Sequence, residues 1–149
     1  MRSLWVVCLA ALAVGACSTD PDYISPEQFK ARWNEQNVYP ASYKADVVAY
    51  MRTYLNDPTN VRGAALSEPV LKSVGPGDRY VSCIQYNAKK SSGQYAGQRE
   101  AAVIYLAGHL DRFVVSNPDP RESRERPDVR EVCKGVSYLP FPELQQLKR

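Results

Sequence analysis

The sequence predicts an α+β domain with a small antiparallel sheet of three to four strands, one main packed helix and a short N-terminal helix. Three runs of β-branched and aromatic residues between Arg79 and Ser116 are typical of strands. Before them, apolar residues recur at the spacing of one helical face between Ser42 and Leu55. The length of 149 residues suits one domain, and 11 prolines with 8 glycines indicate short elements separated by many breaks.

The short N-terminal helix is predicted to begin at Ser25. A serine at the N-cap, Pro26 in the first turn and Gln28 three residues after the cap together form a capping-box pattern. The helix should end near Asn34–Asn37, because the residue before Pro40 avoids the helical conformation.

The main helix is predicted from Ser42 to about Leu55. Its apolar face is rich in tyrosine and contains Tyr43, Val47, Tyr50 and Tyr54. Such a stripe usually packs on a sheet. An alternative is that the tyrosines line a ligand groove between this helix and the sheet. Asn56-Asp57-Pro58 should end the helix, since proline cannot donate a backbone hydrogen bond.

Thr59–Pro69 reads as a loop, and Val70–Val74 as a short strand at a sheet edge. A turn rich in glycine and proline follows before the central strand, Arg79–Asn87. Side chains alternate along a strand, so Cys83 should share one face of the sheet with Val81.

Ala101–Ala107 and Leu110–Ser116 are predicted to form a hairpin, with Gly108 and His109 as its two-residue turn. In this register apolar residues oppose one another across the strands, with Ile104 facing Phe113 and Val103 facing Val114.

Residues 118–132 form a charged loop in which acidic and basic side chains are interleaved among prolines. A solvated loop or short helix is the ordinary interpretation, and an adhesive patch for a partner or for anionic head groups is the functional one. The C-terminal tail should lie over an edge or face of the sheet. Residues 24–149 are thus interpreted as a single domain.

Composition and motifs give little support for catalysis, and the protein is predicted not to be an enzyme. His109, the one histidine, should be an exposed turn residue, and one histidine is too few ligands for zinc. Glu100 and Asp111 fall on neighbouring strands but read as solvent-facing rather than as a catalytic pair. No cofactor motif is found, and a net charge of +3 is too small to indicate nucleic-acid binding.

The first 17 residues carry the most specific pattern. Arg2 precedes an apolar run, Leu4–Val14, that is too short to span a bilayer, and Val14-Gly15-Ala16-Cys17 follows. This pattern resembles the signal of bacterial lipoproteins. The resemblance implies that residues 1–16 are removed, that Cys17 is acylated and anchors the chain to a lipid bilayer, and that residues 17–23 are a lipidated tether. An ordinary secretory signal is the alternative.

The same resemblance implies a location in the cell envelope, facing the periplasm. Ser18 follows the acylated cysteine where lipoproteins kept in the inner membrane typically carry aspartate, so the outer membrane is favoured over the inner membrane.

Export leaves Cys83 and Cys133 as the remaining cysteines, since Cys8 leaves with the signal and Cys17 carries lipid. An oxidising compartment and an even pair predict a disulfide between them. Their wide spacing favours a structural bridge over a catalytic dithiol. Closing a loop of about 50 residues would stabilise the fold by roughly 4 kcal/mol.

The connection after the central strand contains Asn87-Ala88-Lys89 and Gly93-Gln94-Tyr95-Ala96-Gly97. With Asp57-Pro58 and Cys83, it resembles a stretch in small uncharacterised exported proteins of proteobacteria. The resemblance implies a shared helix-plus-sheet unit and no function. The residues themselves allow two interpretations, ordinary loop geometry or a recognition tip with Lys89, Lys90 and Tyr95 as contacts.

These features together predict a membrane-anchored periplasmic lipoprotein with a non-enzymatic role, either structural or in binding an envelope protein or cell-wall component. The alternative is a small-ligand-binding lipoprotein that uses the groove between the tyrosine-bearing helix and the sheet.

Overall fold

The computed structural model describes residues 23–116 and 128–148. Over these ranges the chain forms a six-stranded antiparallel sheet and four short helices, so the α+β class is confirmed and the sheet has more strands than predicted. The helices are α1 (Pro26–Glu35), α2 (Tyr43–Tyr54), α3 (Val129–Val132) and α4 (Pro142–Gln145). The strands are β1 (Asp57–Ser67), β2 (Val70–Ser73), β3 (Asp78–Lys89), β4 (Arg99–Leu106), β5 (His109–Val115) and β6 (Tyr138–Pro140).

Most of the segment predicted as a loop, Thr59–Pro69, is in fact strand β1, which pairs with β3. Irregularities in the pairing interrupt the side-chain alternation, and Asn60 and Gly63 both adopt a φ of 57°. Such bulges allow polar residues and glycine inside a paired strand, which is why the local pattern resembles a loop. Val61 and Ala64, the residues that directly follow Asn60 and Gly63, still reach the core.

The strand order is β5-β4-β3-β1-β6, and β2 pairs with β3 beside β1. Val81 of β3 pairs with Val70, whereas Ile84, three residues further along, pairs with Leu66. β1 and β2 therefore lie end to end along one side of β3. The predicted position of β2 at a sheet edge is confirmed, since β3 is its strand partner among the described residues.

The β4–β5 hairpin turns one residue earlier than predicted. Its central residues are Ala107 and Gly108, with φ angles of 50° and 83°, and Leu106 pairs with His109. A type I′ turn requires a positive φ at both central positions, and Ala107 adopts it without being glycine. Moving the turn by one residue shifts each cross-strand partner by two, and the irregularity between Ile104 and Tyr105 restores one of these. The predicted register is therefore wrong by one residue beyond it, where Val103 faces Phe113 and Ile104 faces Arg112.

The two faces of the sheet are covered differently. On one face α2 and α4 enclose a core that contains Val47, Met51, Ile84, Tyr86, Tyr105 and Leu144. On the other face Val81, Cys83 and Ile104 pack with α3. The predicted shared face of Cys83 and Val81 is confirmed, and so is the disulfide, in which Cys83 and Cys133 have Cα atoms 5.8 Å apart.

Helix α1 has the predicted capping box, because Ser25 and Gln28 each accept a hydrogen bond from the backbone of the other. None of its residues is buried. It is held to β3 through Trp33, whose Nε1 donates to the carbonyl oxygen of Asp78 at 2.8 Å. The guanidinium carbon of Arg79 lies 3.7 Å from the centroid of the Trp33 ring.

Arg79 is the buried cation at this contact, with 3% of its surface exposed. It donates hydrogen bonds to the Trp33 carbonyl oxygen, to Asn37 Oδ1 at 3.3 Å and to Gln36 Oε1 at 3.2 Å. Desolvation, and secondly the positive charge of Arg112, lower the pKa of Arg79. Among the described residues no carboxylate forms an ion pair with Arg79, so neutral oxygens and the indole ring satisfy this cation.

The C-terminal tail covers both an edge and a face of the sheet, as predicted. β6 pairs with β1, and the residues after it, Phe141, Leu144 and Leu147, are buried in the helix-covered core. The described end of the charged loop contains α3, which Asp128 caps at its N-terminus and which buries Val129.

Several predictions fall on residues outside the described ranges. These are the signal peptide, the acylated Cys17, the tether as far as residue 22 and residues 118–127 of the charged loop. In the portion of the chain that is described, none of the helices has the length and apolar character needed to cross a bilayer.

Candidate functional site

The structure brings Lys89 and Tyr95, two of the three predicted contact residues, together at the end of β3. They pair as an isolated bridge, and the Tyr95 hydroxyl donates to the carbonyl oxygen of Asn60 at 2.9 Å. The guanidinium carbon of Arg62 lies 4.0 Å from the centroid of the Tyr95 ring, and Lys89 Nζ lies 5.7 Å from it. Tyr95 therefore ties the loop to β1.

Lys90, the third predicted contact residue, is exposed at the start of the loop. Its backbone N–H donates to the carbonyl oxygen of Gln94, which closes the loop tightly. Lys89 Nζ lies 4.0 Å from Asp57 Oδ2, so part of its charge is compensated. A role of Lys89, Lys90 and Tyr95 in recognition stays a prediction.

A second surface lies where β2 continues beyond the end of β6. We call it the β2 groove, and it has a volume of about 640 Å³. It is lined on one side by Ser67, Glu68, Val70, Leu71 and Lys72, and on the other by Gly135, Val136, Ser137 and Leu139. Val70, Leu71 and Leu139 are 40%, 51% and 49% exposed, so apolar side chains flank the outer edge of β2.

The third surface lies where α2 ends and the sheet continues. We call it the Tyr86 groove, and it has a volume of about 220 Å³. Its lining includes Tyr54, Asn56, Tyr86, Lys89, Lys90 and Arg99. It occupies part of the space predicted for a ligand groove between the tyrosine-bearing helix and the sheet.

The hydroxyl of Tyr86 is the unusual feature of this groove. It is buried, and it has no hydrogen-bond partner among the described residues. Burial raises the pKa of Tyr86 far above its ordinary value, and the neighbouring Tyr54 hydroxyl adds to the shift without reaching hydrogen-bond geometry. An unsatisfied buried polar group costs about 1–3 kcal/mol, so its retention requires an explanation.

Tyr105 provides the contrasting case in the same core. Its hydroxyl is also buried but lies 2.7 Å from the hydroxyl oxygen of Ser82, with which it shares a hydrogen bond. Desolvation raises the pKa of Tyr105 as well. Two buried tyrosines on the same sheet therefore differ in whether the fold supplies a partner.

The residues considered for catalysis are not assembled into one site. His109 is 79% exposed, and its Nδ1 lies 3.6 Å from Asp46 Oδ2. Glu100 accepts hydrogen bonds from Tyr138 at 2.5 Å and from Gln85 at 3.4 Å. Asp111 lies beside Arg112, near Ile104, about four residues or ~13 Å along β4 from Glu100. Glu100 and Asp111 therefore have separate surroundings.

No set of three or more His, Cys, Asp or Glu side chains among the described residues is arranged to hold a metal ion. The residues that the sequence interpretation missed are Arg62, Tyr86 and Arg99, together with the apolar edge of β2. Each becomes notable only through a neighbour that is distant in the chain. The cross-strand pairing of Tyr86 with Arg99 is one example.

Comparisons with models of known protein families, with curated proteins and with solved structures found no match for this chain.

Proposed function

We propose that this protein is a membrane-anchored periplasmic lipoprotein with a non-enzymatic role, and that it binds an extended segment of an envelope protein along the outer edge of β2. The observation that carries the binding proposal is an edge of β2 that has no strand partner among the described residues, together with exposed apolar side chains on both sides of the β2 groove. The location rests on the lipoprotein-like sequence that ends at Cys17.

β2 offers its backbone for strand addition. β6 pairs with β1 as far as Ser67, whereas the chain before β6 separates from β2 and leaves the groove between them. A strand edge carries unpaired N–H and C=O groups that an extended peptide can bind as an additional strand. Such a peptide would gain backbone hydrogen bonds from β2 and side-chain contacts from the groove.

The groove has features that would select among peptides. Leu71 and Leu139 offer apolar contacts, while Glu68 and Lys72 add charges of opposite sign. Lys72 Nζ donates to the carbonyl oxygen of Lys134 at 3.1 Å, which ties the far wall of the groove to β2. An extended segment with apolar side chains and charged flanks is therefore the partner that fits.

The proposed anchor would keep this surface near a membrane. Residues 18–23 can extend at most roughly 20 Å at about 3.4 Å per residue. With several acyl chains on Cys17, dissociation from the bilayer would be very slow. By resemblance to other lipoproteins, Ser18 after the acylated cysteine favours the outer membrane.

The anchor is tested by metabolic labelling with a fatty-acid analogue, followed by membrane fractionation. We expect label on the wild-type protein, and none on a Cys17→Ala variant. Label that persists in this variant, or an unlabelled protein in the cytosol, would contradict the proposal.

The binding surface is tested by placing a photo-crosslinking amino acid at position 71 in the intact lipoprotein, with position 38 as the control. Val38 is 53% exposed and lies outside the β2 groove. Mass spectrometry of the crosslinks at position 71 should identify one segment of one envelope protein, which is then synthesised as a peptide. This peptide should slow amide hydrogen exchange in Val70–Ser73.

A charge placed in the β2 groove should weaken the binding of that peptide. Leu139→Lys is expected to reduce its affinity about tenfold or more, because lysine would have to be desolvated on binding. Val38→Lys should leave the affinity unchanged. Crosslinks that are the same at positions 71 and 38, or equal effects of both lysine substitutions, would refute β2 as the binding edge.

A further inference from the structure

The Tyr86 groove lies at the end of the helix-covered face, apart from the β2 groove. α2 ends at Tyr54, and the groove lies between the end of this helix and the Tyr86–Lys89 part of β3. The volume of about 220 Å³ is below the roughly 300–1,000 Å³ of sites for drug-sized molecules. A ligand that fills this groove is therefore small.

One residue that lines the groove, Tyr86, carries a hydrogen-bond donor that has no partner among the described residues. The Tyr86 residue is 1% exposed, and its hydroxyl is unpartnered among the described residues. Since burial raises its pKa, this hydroxyl stays protonated and can donate to an acceptor in the groove. A ligand with an exposed oxygen acceptor would satisfy it.

The surrounding charge favours an anionic acceptor. Arg99 lies directly opposite Tyr86 on β4, so the two side chains share one face of the sheet. Neither Arg99 nor the exposed Lys90 forms an ion pair with another described residue. The positive charge of Arg99 partly offsets the rise in the pKa of Tyr86, which is consistent with its proximity to the hydroxyl.

The negative charges near the groove are weaker than the positive charges of Lys90 and Arg99. Asp57 compensates Lys89 at 4.0 Å, and its Oδ1 atom accepts hydrogen bonds from the backbone and hydroxyl of Thr59. The C-terminus of α2 contributes about half a negative charge. Lys90 and Arg99 outweigh this contribution, so the groove remains positive.

We propose that the Tyr86 groove binds a small ligand through an oxyanion, a carboxylate or a phosphate group, with the Tyr86 hydroxyl and the Arg99 guanidinium as its main donors. Lys90 adds positive charge at the rim. This site is independent of peptide binding at β2, and either proposal can fail without the other.

The test titrates the mature chain with inorganic phosphate and, separately, with acetate at constant ionic strength, while amide NMR signals are followed. We expect saturable shifts at Lys89, Lys90 and Arg99 with at least one anion, and the stronger anion identifies the preferred headgroup. Arg99→Gln should weaken binding about tenfold, because it removes a charge-assisted hydrogen bond. Arg112→Gln, on the exposed surface of β5, should not change it.

A second pair of variants separates ligand binding from stability. Tyr86→Phe should weaken anion binding about threefold or more without lowering the unfolding midpoint, since no internal hydrogen bond is lost. Tyr105→Phe should lower the unfolding midpoint, because it leaves the buried Ser82 hydroxyl without its hydrogen-bond partner. It should leave anion binding unchanged. The proposal is overturned if neither anion saturates, if Arg99→Gln and Arg112→Gln act alike, or if Tyr86→Phe destabilises as Tyr105→Phe does.

Discussion

Helices α1 and α2 are held to the same sheet by different forces. α2 buries Val47 and Met51 in the core and stacks Tyr50 on Phe113, with ring centroids 4.8 Å apart. α1 buries none of its residues and relies on Trp33 and the hydrogen bonds of Arg79. Apolar burial makes α2 part of the core. Because α1 is held by a few directional contacts, we expect it to detach while the sheet stays folded.

The N-termini of the two helices also differ in how they are stabilised. Ser25 caps α1 through reciprocal side-chain and backbone bonds, whereas Ser42 makes no side-chain cap to the backbone of α2. Local bonds thus compensate for weak packing in α1, and tertiary packing makes them unnecessary in α2. Three substitutions examine this contrast, in order of decreasing effect.

The largest effect is expected for Met51→Ala in α2. Met51 is fully buried, so its truncation should leave a cavity and lower the free energy of unfolding by about 2–5 kcal/mol. Chemical denaturation followed by circular dichroism measures this change. The adjacent exposed Arg52→Ala should stay within about 0.5 kcal/mol of wild type. Equal losses in both variants would show that α2 is not held by burial.

An intermediate and local effect is expected for Arg79→Lys. Lysine keeps the charge but cannot reproduce the planar set of donors that reaches Trp33, Asn37 and Gln36. Losing these bonds should cost about 2 kcal/mol, mostly in the docking of α1. Hydrogen exchange should accelerate in α1 and remain slow in β3 and β4. Uniform acceleration throughout the sheet would show that α1 and the core unfold as one unit.

The smallest effect is expected for Ser25→Ala. Loss of the N-cap should destabilise α1 by about 1 kcal/mol, which hydrogen exchange of its first turn would detect. Ser42→Ala is the matched control and should have less effect, because its hydroxyl makes only an exposed bond to Asp46. A larger loss for Ser42→Ala would reverse the proposed difference between the two helix starts.

Prediction from sequence succeeded where the pattern was local and strong. The repeat of apolar residues located α2, and the β-branched runs located β3, β4 and β5. It failed in β1, where bulges around Asn60 and Gly63 break the alternation. It also misplaced the hairpin turn by one residue, because alanine at a positive φ is not expected from composition.

The candidate sites were predicted only in part. Lys89, Lys90 and Tyr95 were identified as notable, but Arg62 and Arg99, which lie near them, were not. The free edge of β2 depends on where β6 stops pairing, roughly seventy residues later in the chain. Strand register brings these residues together. A slip of one residue would move the side chains of a strand to the other face of the sheet.

The sequence by itself determined the α+β class, the start of α1 and the packed face of α2, because these follow from periodicity and capping residues. It also predicted the pairing of Cys83 with Cys133, once the resemblance to a lipoprotein signal accounted for Cys8 and Cys17. The tertiary structure alone decided that, within residues 23–116 and 128–148, Tyr86 lacks a hydrogen-bond partner, Arg79 is satisfied without a carboxylate and β2 keeps an open edge. Whether a polar group is satisfied depends on atoms contributed by distant segments, and no local pattern specifies them.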